Sequence, residues 1–590
     1  MPRTAFVFGF TAGVALAATA LLALSALAVL RDVHAGPPPP RGSAAAAAPP
    51  VGRRPRRGQR DSAAAGQAAP GSSSAGDSAR TSTTDTPETA DPMGAPWPRE
   101  AAARSLARLE QAFGVPQRKL HELVKHFVKE MDQGLARDDQ DLKMIPSFVT
   151  VLPRGTETGV FLGVDVGGSY FRVCEVVLEP GGVAASATTT TTPAATPAPA
   201  PAPALVGPSR MRSRQKRVQV PSELKTGRGV DLFDFFAACV QEFLAEIDAT
   251  TPAAPAERLL GLTFSFPVAQ TAIDKGTLMQ WCNGYTASGV EGSDPVQMLQ
   301  AALDRKRLRV RVVALVNDAV GTLVAHAFKD TSTHLGVILG TGTNAAYVER
   351  IDRIPKYAGH LPPSSSSSSS AAAAPSQSSG LMVVNTEWGA FDDACIVLPV
   401  TQYDLTIDRQ SSNPRTYMLE KLVGGMYLAE LLRLVLADLV STGELFGGAQ
   451  VPALSTRGSI ETALLSRIER DHSADLADVR NVLENLVGVP RASTTIVDRR
   501  VVKRVAELIG TRSARLVAAG IAAIVTRTHR LNDCTVAIDG SLYENYPHYA
   551  NRVRDALREI VGVAADNILL VSAHDGSSLG AALVAALIAQ

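Results

Sequence analysis

Val160-Phe161-Leu162-Gly163-Val164-Asp165-Val166-Gly167-Gly168-Ser169-Tyr170-Phe171-Arg172 is the stretch on which the fold turns. An apolar run over 160–166 ends in a carboxylate and two glycines, and a second apolar run over 173–178 follows. The pattern predicts a strand, a tight turn and a second strand. Glycines at such a turn let backbone N–H groups approach a phosphate closely, Ser169 adds a hydroxyl donor, and Arg172 can pair with phosphate oxygens. A plain Gly-Gly hairpin reads the same way, so this segment alone leaves both readings open.

A second turn of the same chemistry narrows the choice. The apolar run 335–339 leads into Gly340-Thr341-Gly342-Thr343-Asn344, two glycines and two hydroxyls directly after a strand. Between the two turns, Leu315-Val316-Asn317-Asp318 closes a strand with an amide and a carboxylate. Asp318 reads either as a helix N-cap for 319–329 or as a general base held by the sheet. Short β-rich runs at 160–166, 260–266, 310–316, 335–339, 381–385, 536–538 and 568–571 alternate with amphipathic stretches. Residues 104–135 carry helical spacing through Leu106, Leu109, Phe113, Leu120, Leu123, Val124, Phe127 and Met131. Continuous apolar strands ending in polar or glycine turns predict an α/β fold.

The chain has 590 residues, 45% apolar, 19% charged and 5% aromatic, with 47 Gly, 37 Pro and a net charge of +1. That balance argues against bulk nucleic-acid binding. Cys174, Cys239, Cys282, Cys395 and Cys534 are dispersed and form no C-x-x-C pair, which speaks against a zinc cluster or a disulfide framework and fits a reducing compartment. No charge appears over residues 5–30, long enough to span a bilayer, and Arg31 and then Arg53, Arg54, Arg56, Arg57 and Arg60 follow it. A membrane anchor with a cytosolic body is the first reading; a cleaved signal peptide ending near Gly36 and an organelle-targeting segment are the alternatives. Stretches rich in Pro, Ala, Ser and Thr at 36–97, 180–208 and 362–380 read as a disordered linker and two surface insertions. The basic cluster Arg210, Arg212, Arg214, Lys216, Arg217 reads as the solvated end of the first insertion.

Taken in order, several segments resemble the hexokinase family. They are Leu262-Thr263-Phe264-Ser265-Phe266-Pro267, Ile273-Asp274-Lys275-Gly276, Val290-Glu291-Gly292, Asn317-Asp318, Gly340-Thr341-Gly342, Asn385-Thr386-Glu387-Trp388-Gly389-Ala390-Phe391, Glu420-Lys421 ahead of Gly425-Met426-Tyr427, and Asp539-Gly540-Ser541-Leu542-Tyr543. The resemblance runs from about Ser105 to the C-terminus outside the two insertions. It implies an α/β, two-lobed fold of the actin-like ATPase (ribonuclease H-like) type that closes over a hexose and ATP. On that likeness 1–35 is an anchor, 36–97 a linker, 98–157 the first helices of the large lobe and 158–316 the small lobe. The large lobe then resumes over 317–571, and 572–590 is a helix returning to the small lobe.

The likeness implies Asp318 as the base for the sugar 6-hydroxyl, with Ser265, Asn283, Asn317, Asn344, Glu387 and Glu420 around the hexose. It implies Asp165 as the carboxylate holding Mg²⁺ through water, with Gly167, Gly168, Ser169 and Arg172 at the phosphates and Gly340, Thr341 and Gly342 as the second phosphate loop. Asp539, Gly540, Ser541, Gly576 and Ser577 fall on the adenosine side. Anchored members of the family imply the mitochondrial outer membrane as the attachment surface, with a cytosolic protein as the alternative.

Besides a tolerable change at Ser578 and Leu579, where a small and often a basic residue occur in the family, two places depart from the family pattern. Where the family has Thr-Lys-Gly-Phe after the tryptophan, this chain has Cys282-Asn283-Gly284-Tyr285, so an ammonium beside the reacting oxygens is lost. In the first phosphate loop Tyr170 stands where asparagine is usual. Two functions follow: an ATP-dependent hexose kinase acting at the first step of glycolysis, or a sugar-binding regulator that transfers phosphate poorly.

Overall fold

The computed structural model describes residues 100–180, 210–249, 256–282, 284–360 and 380–590. The expected anchor and linker, Asn283, and nearly all of the two insertions lie outside them. Residues 98–590 form one compact unit.

Two mixed sheets carry it. The first takes β2 (Gly159–Val166), β3 (Tyr170–Glu179), β4 (Arg210–Gln219), β5 (Arg258–Phe264) and β8 (Val310–Val316) in the order β4-β3-β2-β5-β8. The second takes β1 (Ile145–Pro146), β9 (Thr333–Leu339), β10 (Thr343–Arg350), β11 (Leu381–Asn385), β12 (Cys534–Asp539) and β13 (Ile568–Ser572) in the order β1-β11-β10-β9-β12-β13. A small hairpin of β6 (Val268–Ala272) and β7 (Lys275–Leu278) stands apart. The two large sheets share one plan. In each, an antiparallel meander (β2-β3-β4, β9-β10-β11) is extended by two strands parallel to its first (β5 and β8, β12 and β13). The turn after the first strand is the glycine turn in both, Gly167–Gly168 and Gly340–Gly342.

The strands expected from apolar runs are all present within one to three residues of their expected ends, and the helical stretch 104–135 divides at Gly114-Val115-Pro116 into α1 (Glu100–Phe113) and α2 (Gln117–Ala136). The basic cluster is a correction. It is not a loop end but the edge strand β4, paired along its full length with β3. Its charges are partly matched, Arg212 by Glu179 and Lys216 by Glu242 and Glu246. A charged edge strand is also one that does not recruit a further strand.

Four further helices position the cleft: α3 (Ser222–Thr226), α4 (Gly229–Asp248), α5 (Asp318–Ala327) and α6 (Gly425–Ser441). Two others run through the core of the body. One is α7 (Ile496–Arg527), which is long and apolar enough to cross a membrane, yet 89% of its most apolar stretch is buried inside the fold, so it is a core helix. The other is α8 (Gly576–Ala589), apolar on every side and buried over most of its length. It lies where the two sheets meet, and glycines let it. A Cβ on Gly163 of β2 would stand 2.0 Å from the Ser578 carbonyl oxygen, one on Gly261 of β5 2.0 Å from that of Ala581, and one on Gly580 2.0 Å from that of Gly321 on α5.

Gly580→Ala therefore has to push α8 off α5. Overpacking of this kind costs about 1–3 kcal/mol, so a lowered urea midpoint relative to the parent protein is expected, and an unchanged midpoint would show that the helix pair slides freely.

Candidate active site

The tips of both sheets open on one cleft of about 620 Å³. On one wall, Asp165 ends β2 with a buried carboxylate. Its cross-strand partner is Arg172, whose Nη1 donates to Oδ2 at 2.6 Å. The hydroxyl of Ser265, just past the end of β5, reaches the other carboxylate oxygen at 3.5 Å, and Ser577 adds a further hydrogen bond. Burial pushes the Asp165 carboxyl up, and the Arg172 guanidinium opposes it. The glycine turn beside them is tight, with the Gly167 amide donating to the Tyr170 carbonyl at 3.1 Å.

The second glycine turn faces it. The Gly340 amide donates to the Gly342 carbonyl, and the first amides of α6, from Gly425 and Met426, take the carbonyls of Gly340 and Thr341 at 2.9 and 3.0 Å. A Cβ on Gly342 would fall 2.2 Å from Oε2 of Glu420 and displace its carboxylate. Asp539, ending β12, accepts from the Gly576 amide at the head of α8 at 3.0 Å, and burial pushes its carboxyl up to about 7. Gly540 has φ 129° and no room for a Cβ beside the Leu339 carbonyl, so only glycine fits there.

Deeper in, Asp318 opens α5. Asn317 is the N-cap, its Oδ1 accepting from the Ala319 amide at 2.9 Å, so the capping role falls to Asn317 and leaves one Asp318 oxygen for other partners. Burial, with the carboxylates of Asp165 and Glu387 nearby, pushes Asp318 up to about 7 against hydrogen bonds from Ser265 and the Ala319 amide. The Asn344 amide donates to Asn317, Asn385 and Glu387 at 3.2, 2.9 and 3.3 Å. Glu387 sits at φ 53°, a strained backbone held by Asn385 Nδ2 at 2.8 Å and the Tyr417 hydroxyl at 3.3 Å. Glu420 accepts from the Thr343 amide at 3.1 Å, and burial pushes it up to about 7.

Thus Ser265, Asn317, Asp318, Asn344, Glu387 and Glu420 line one cleft with Asp165, Gly167, Gly168, Ser169, Arg172, Gly340, Thr341, Gly342, Asp539, Gly540, Ser541 and Ser577. Gly576 stands behind them, holding Asp539. Asn283 lies outside the described residues; its neighbour Cys282 lines the cleft.

Sequence reasoning missed two features. Arg217 lines the cleft from β4, its guanidinium 3.5 Å above the centre of the Tyr170 ring. The signal was an unbroken run free of Gly and Pro from Arg210 to Gln219, ten residues that form a strand, read as a loop because of its charge. Beyond the second glycine turn a further hollow of about 630 Å³ opens, walled by Met426, Thr462, Ala463, Leu542 and Tyr546 and sharing Gly340, Thr341 and Ser541 with the cleft. Its walls come from segments distant in sequence: Met426 and Leu542 belong to the family-like segments, whereas Thr462, Ala463 and Tyr546 carry no motif.

Residues 105–328 and 334–587 match two family profiles, each described as hexokinase. The hexokinase of Schwanniomyces occidentalis is 36% identical over 496 residues, covering 83% of this chain and 93% of that one. Hexokinase-1 of Oryza sativa subsp. japonica is 38% identical over 506 residues, with 83% and 92% covered. Among solved structures, a hexokinase from Schistosoma mansoni complexed with glucose superposes with a TM-score of 0.70 at 32% identity, over 83% of this chain and 99% of that one.

Carboxyls with raised pKa bind protons more tightly in the folded than in the unfolded chain, so their contribution to stability falls as pH rises from about 4 through 7. Asp318→Asn and Glu420→Gln are each expected to raise the Tm at pH 8 by more than at pH 5. Equal shifts at the two pH values would overturn that assignment.

Proposed function

The chain belongs to the hexokinase family, and from that membership we propose that its cleft transfers the γ-phosphoryl group of ATP to the 6-hydroxyl of a glucose-like hexose. The observation that carries this reading is Asp318. It is a carboxylate with one oxygen on its own helix amide, a pKa raised to about 7, and a place between an amide-and-carboxylate ring and two glycine turns.

Asn317, Asn344, Glu387 and Glu420 hold the sugar by its hydroxyls, which both donate and accept. Ionised Asp318 takes the 6-hydroxyl proton as the oxygen attacks; a base with a pKa near working pH is both deprotonated and strong enough to do so. On the other side, the amides of the two glycine turns and the guanidinium groups of Arg172 and Arg217 bind the phosphate oxygens. The adjoining hollow, with its mostly apolar walls, takes the adenosine. Asp165, Asp318 and Asp539 line the cleft without closing into one direct ligand set, and carboxylate oxygens are the donors Mg²⁺ prefers. Asp165 would hold Mg²⁺ through water, and the ion would supply neutralisation of the triphosphate charge. Positioning and charge compensation are most of what phosphoryl transfer asks of a protein.

The test is ADP release by the purified protein with glucose, mannose, fructose and N-acetylglucosamine. Turnover is expected with at least one sugar. The kcat/KM profile should rise with pH along a limb with an apparent pKa near 7 that belongs to the carboxylate cluster rather than to one residue. Asp318→Asn should cut kcat by about 10²–10⁴ while sparing hexose binding. Glucose binding without turnover above background would leave a binding protein and not an enzyme.

The uncharged run at 5–30, with Arg31 and Arg53 to Arg60 after it, attaches the kinase body to a membrane on its cytosolic side. Full-length protein is expected in the pellet after carbonate extraction. Its release into the soluble fraction would remove the anchor from this account.

A further inference from the structure

Behind the first glycine turn stand two side chains to which no role has yet been given. The Tyr285 hydroxyl donates to the Gly167 carbonyl at 3.1 Å, and Nζ of Lys225, on α3, donates to the Gly168 carbonyl at 2.8 Å. The Lys225 ammonium is 5.3 Å from the centre of the Tyr285 ring, so both approach the turn from one side. Gly167, Gly168 and Ser169 line the cleft, and Tyr285 and Lys225 do not. Their side is therefore the one facing away from it.

In a trans peptide the C=O of one residue and the N–H of the next point in opposite directions. Carbonyls of Gly167 and Gly168 tied back to Tyr285 and Lys225 turn the amides of Gly168 and Ser169 toward the cleft. Neither amide has an acceptor among the described residues, whereas the Gly167 amide is committed to Tyr170. Two donors are thus left pointing into the cleft, a small nest of the kind that binds phosphate.

The ammonium also acts beyond geometry. Lys225 is half-buried, and no carboxylate lies within ion-pair distance of it among the described residues. A charge bonded to a peptide oxygen polarises that peptide and strengthens the N–H at its far end, here that of Ser169.

We infer that Lys225 and Tyr285 are positioning residues for the triphosphate. They lock the Gly167–Ser169 turn with two amides aimed at the phosphates, and Lys225 relays part of the positive charge that the segment Cys282-Asn283-Gly284-Tyr285 lacks. This rests on the reading of that turn as a phosphate loop of an ATP-dependent kinase. The hydroxyl of Tyr285 is this chain's own, standing where the family pattern has phenylalanine.

Steady-state KM values for ATP and for the hexose, with Tm, are to be measured on the full chain and on Lys225→Met, Lys225→Arg and Tyr285→Phe. Loss of a charged hydrogen bond that reads out only on the anion predicts a KM for ATP about tenfold higher in Lys225→Met. The hexose KM should be unchanged, Lys225→Arg should restore most of the loss, and Tyr285→Phe should show a smaller rise of the same kind. An active parent whose Lys225→Met variant keeps its KM for ATP overturns the inference, as does one in which both KM values rise together with a fall in Tm. Should Lys225→Met fail to fold, Tyr285→Phe, which deletes one oxygen, carries the same test. A parent protein with no ATP-dependent turnover overturns the phosphate-loop reading itself, and this inference with it.

Discussion

Five glycines determine how the parts of this cleft stand to one another. From the first sheet, Gly163 and Gly261 admit α8; between the helices Gly580 meets Gly321; and Gly336 on β9 admits α5, a Cβ there falling 2.4 Å from the Ala319 carbonyl. The layers are thus sheet, helix, helix, sheet, with backbone against backbone at each contact. Helix α5 begins with Asp318 and α8 begins with Gly576-Ser577, which reach Asp539 and Asp165. The distance from Asp318 to Asp165 and Asp539 is therefore set by helix packing rather than by any hydrogen bond in the cleft. Close-packed interiors transmit displacement and do not absorb it, so an added methyl between the helices is felt at the reacting atoms.

The shared plan of the two sheets explains why the chemistry collects where it does. In each, the turn after the first strand is a glycine turn, and the parallel strands beside it end in polar groups: Ser265 and Asn317-Asp318 in one, Asp539 in the other. Strand ends at a switch between antiparallel and parallel connections leave a crevice. Carboxylates crowded there carry a cost in water lost and in mutual repulsion, visible in Asp318, Glu420 and Asp539, all pushed up to about 7. A cleft stabilised for its own sake would not be built this way.

Much of this was legible in the sequence for a simple reason. Strands buried on both faces are apolar throughout, and glycine turns and strand-end carboxylates stand out against them, so β2, β9, β8 and the residues that follow them could be read directly. Strand β4 was not legible, because its stability comes from pairing with β3, from Glu179, Glu242 and Glu246, and from the Tyr170 ring, none of which its own composition reveals. The hollow beside the second glycine turn was hidden for a related reason: Met426, Thr462 and Leu542 meet only in three dimensions. The division of labour between Asn317 and Asp318 also lay beyond sequence reading, since either residue type caps a helix and only the hydrogen bonds show that Asn317 does.

The two departures from the family pattern bear on each other. Tyr170, in place of asparagine, is bulky enough to crowd a nucleotide, yet its ring is covered by Arg217 from the neighbouring strand, and Arg217 is the cross-strand partner of Arg172. A guanidinium lying on an aromatic face keeps its charge and loses conformational freedom before any ligand arrives, which lowers the entropy lost on binding. Asparagine offers no such platform. The segment after Trp281 carries no ammonium, whereas Arg217 sets an ordered guanidinium beside the first glycine turn. In the proposed reaction Arg217 stands on the triphosphate side, where a cation stabilises bound ATP as well as the transition state. Charge compensation that is already complete in the bound substrate does not lower the barrier, so in that reaction Arg217 serves nucleotide affinity rather than turnover.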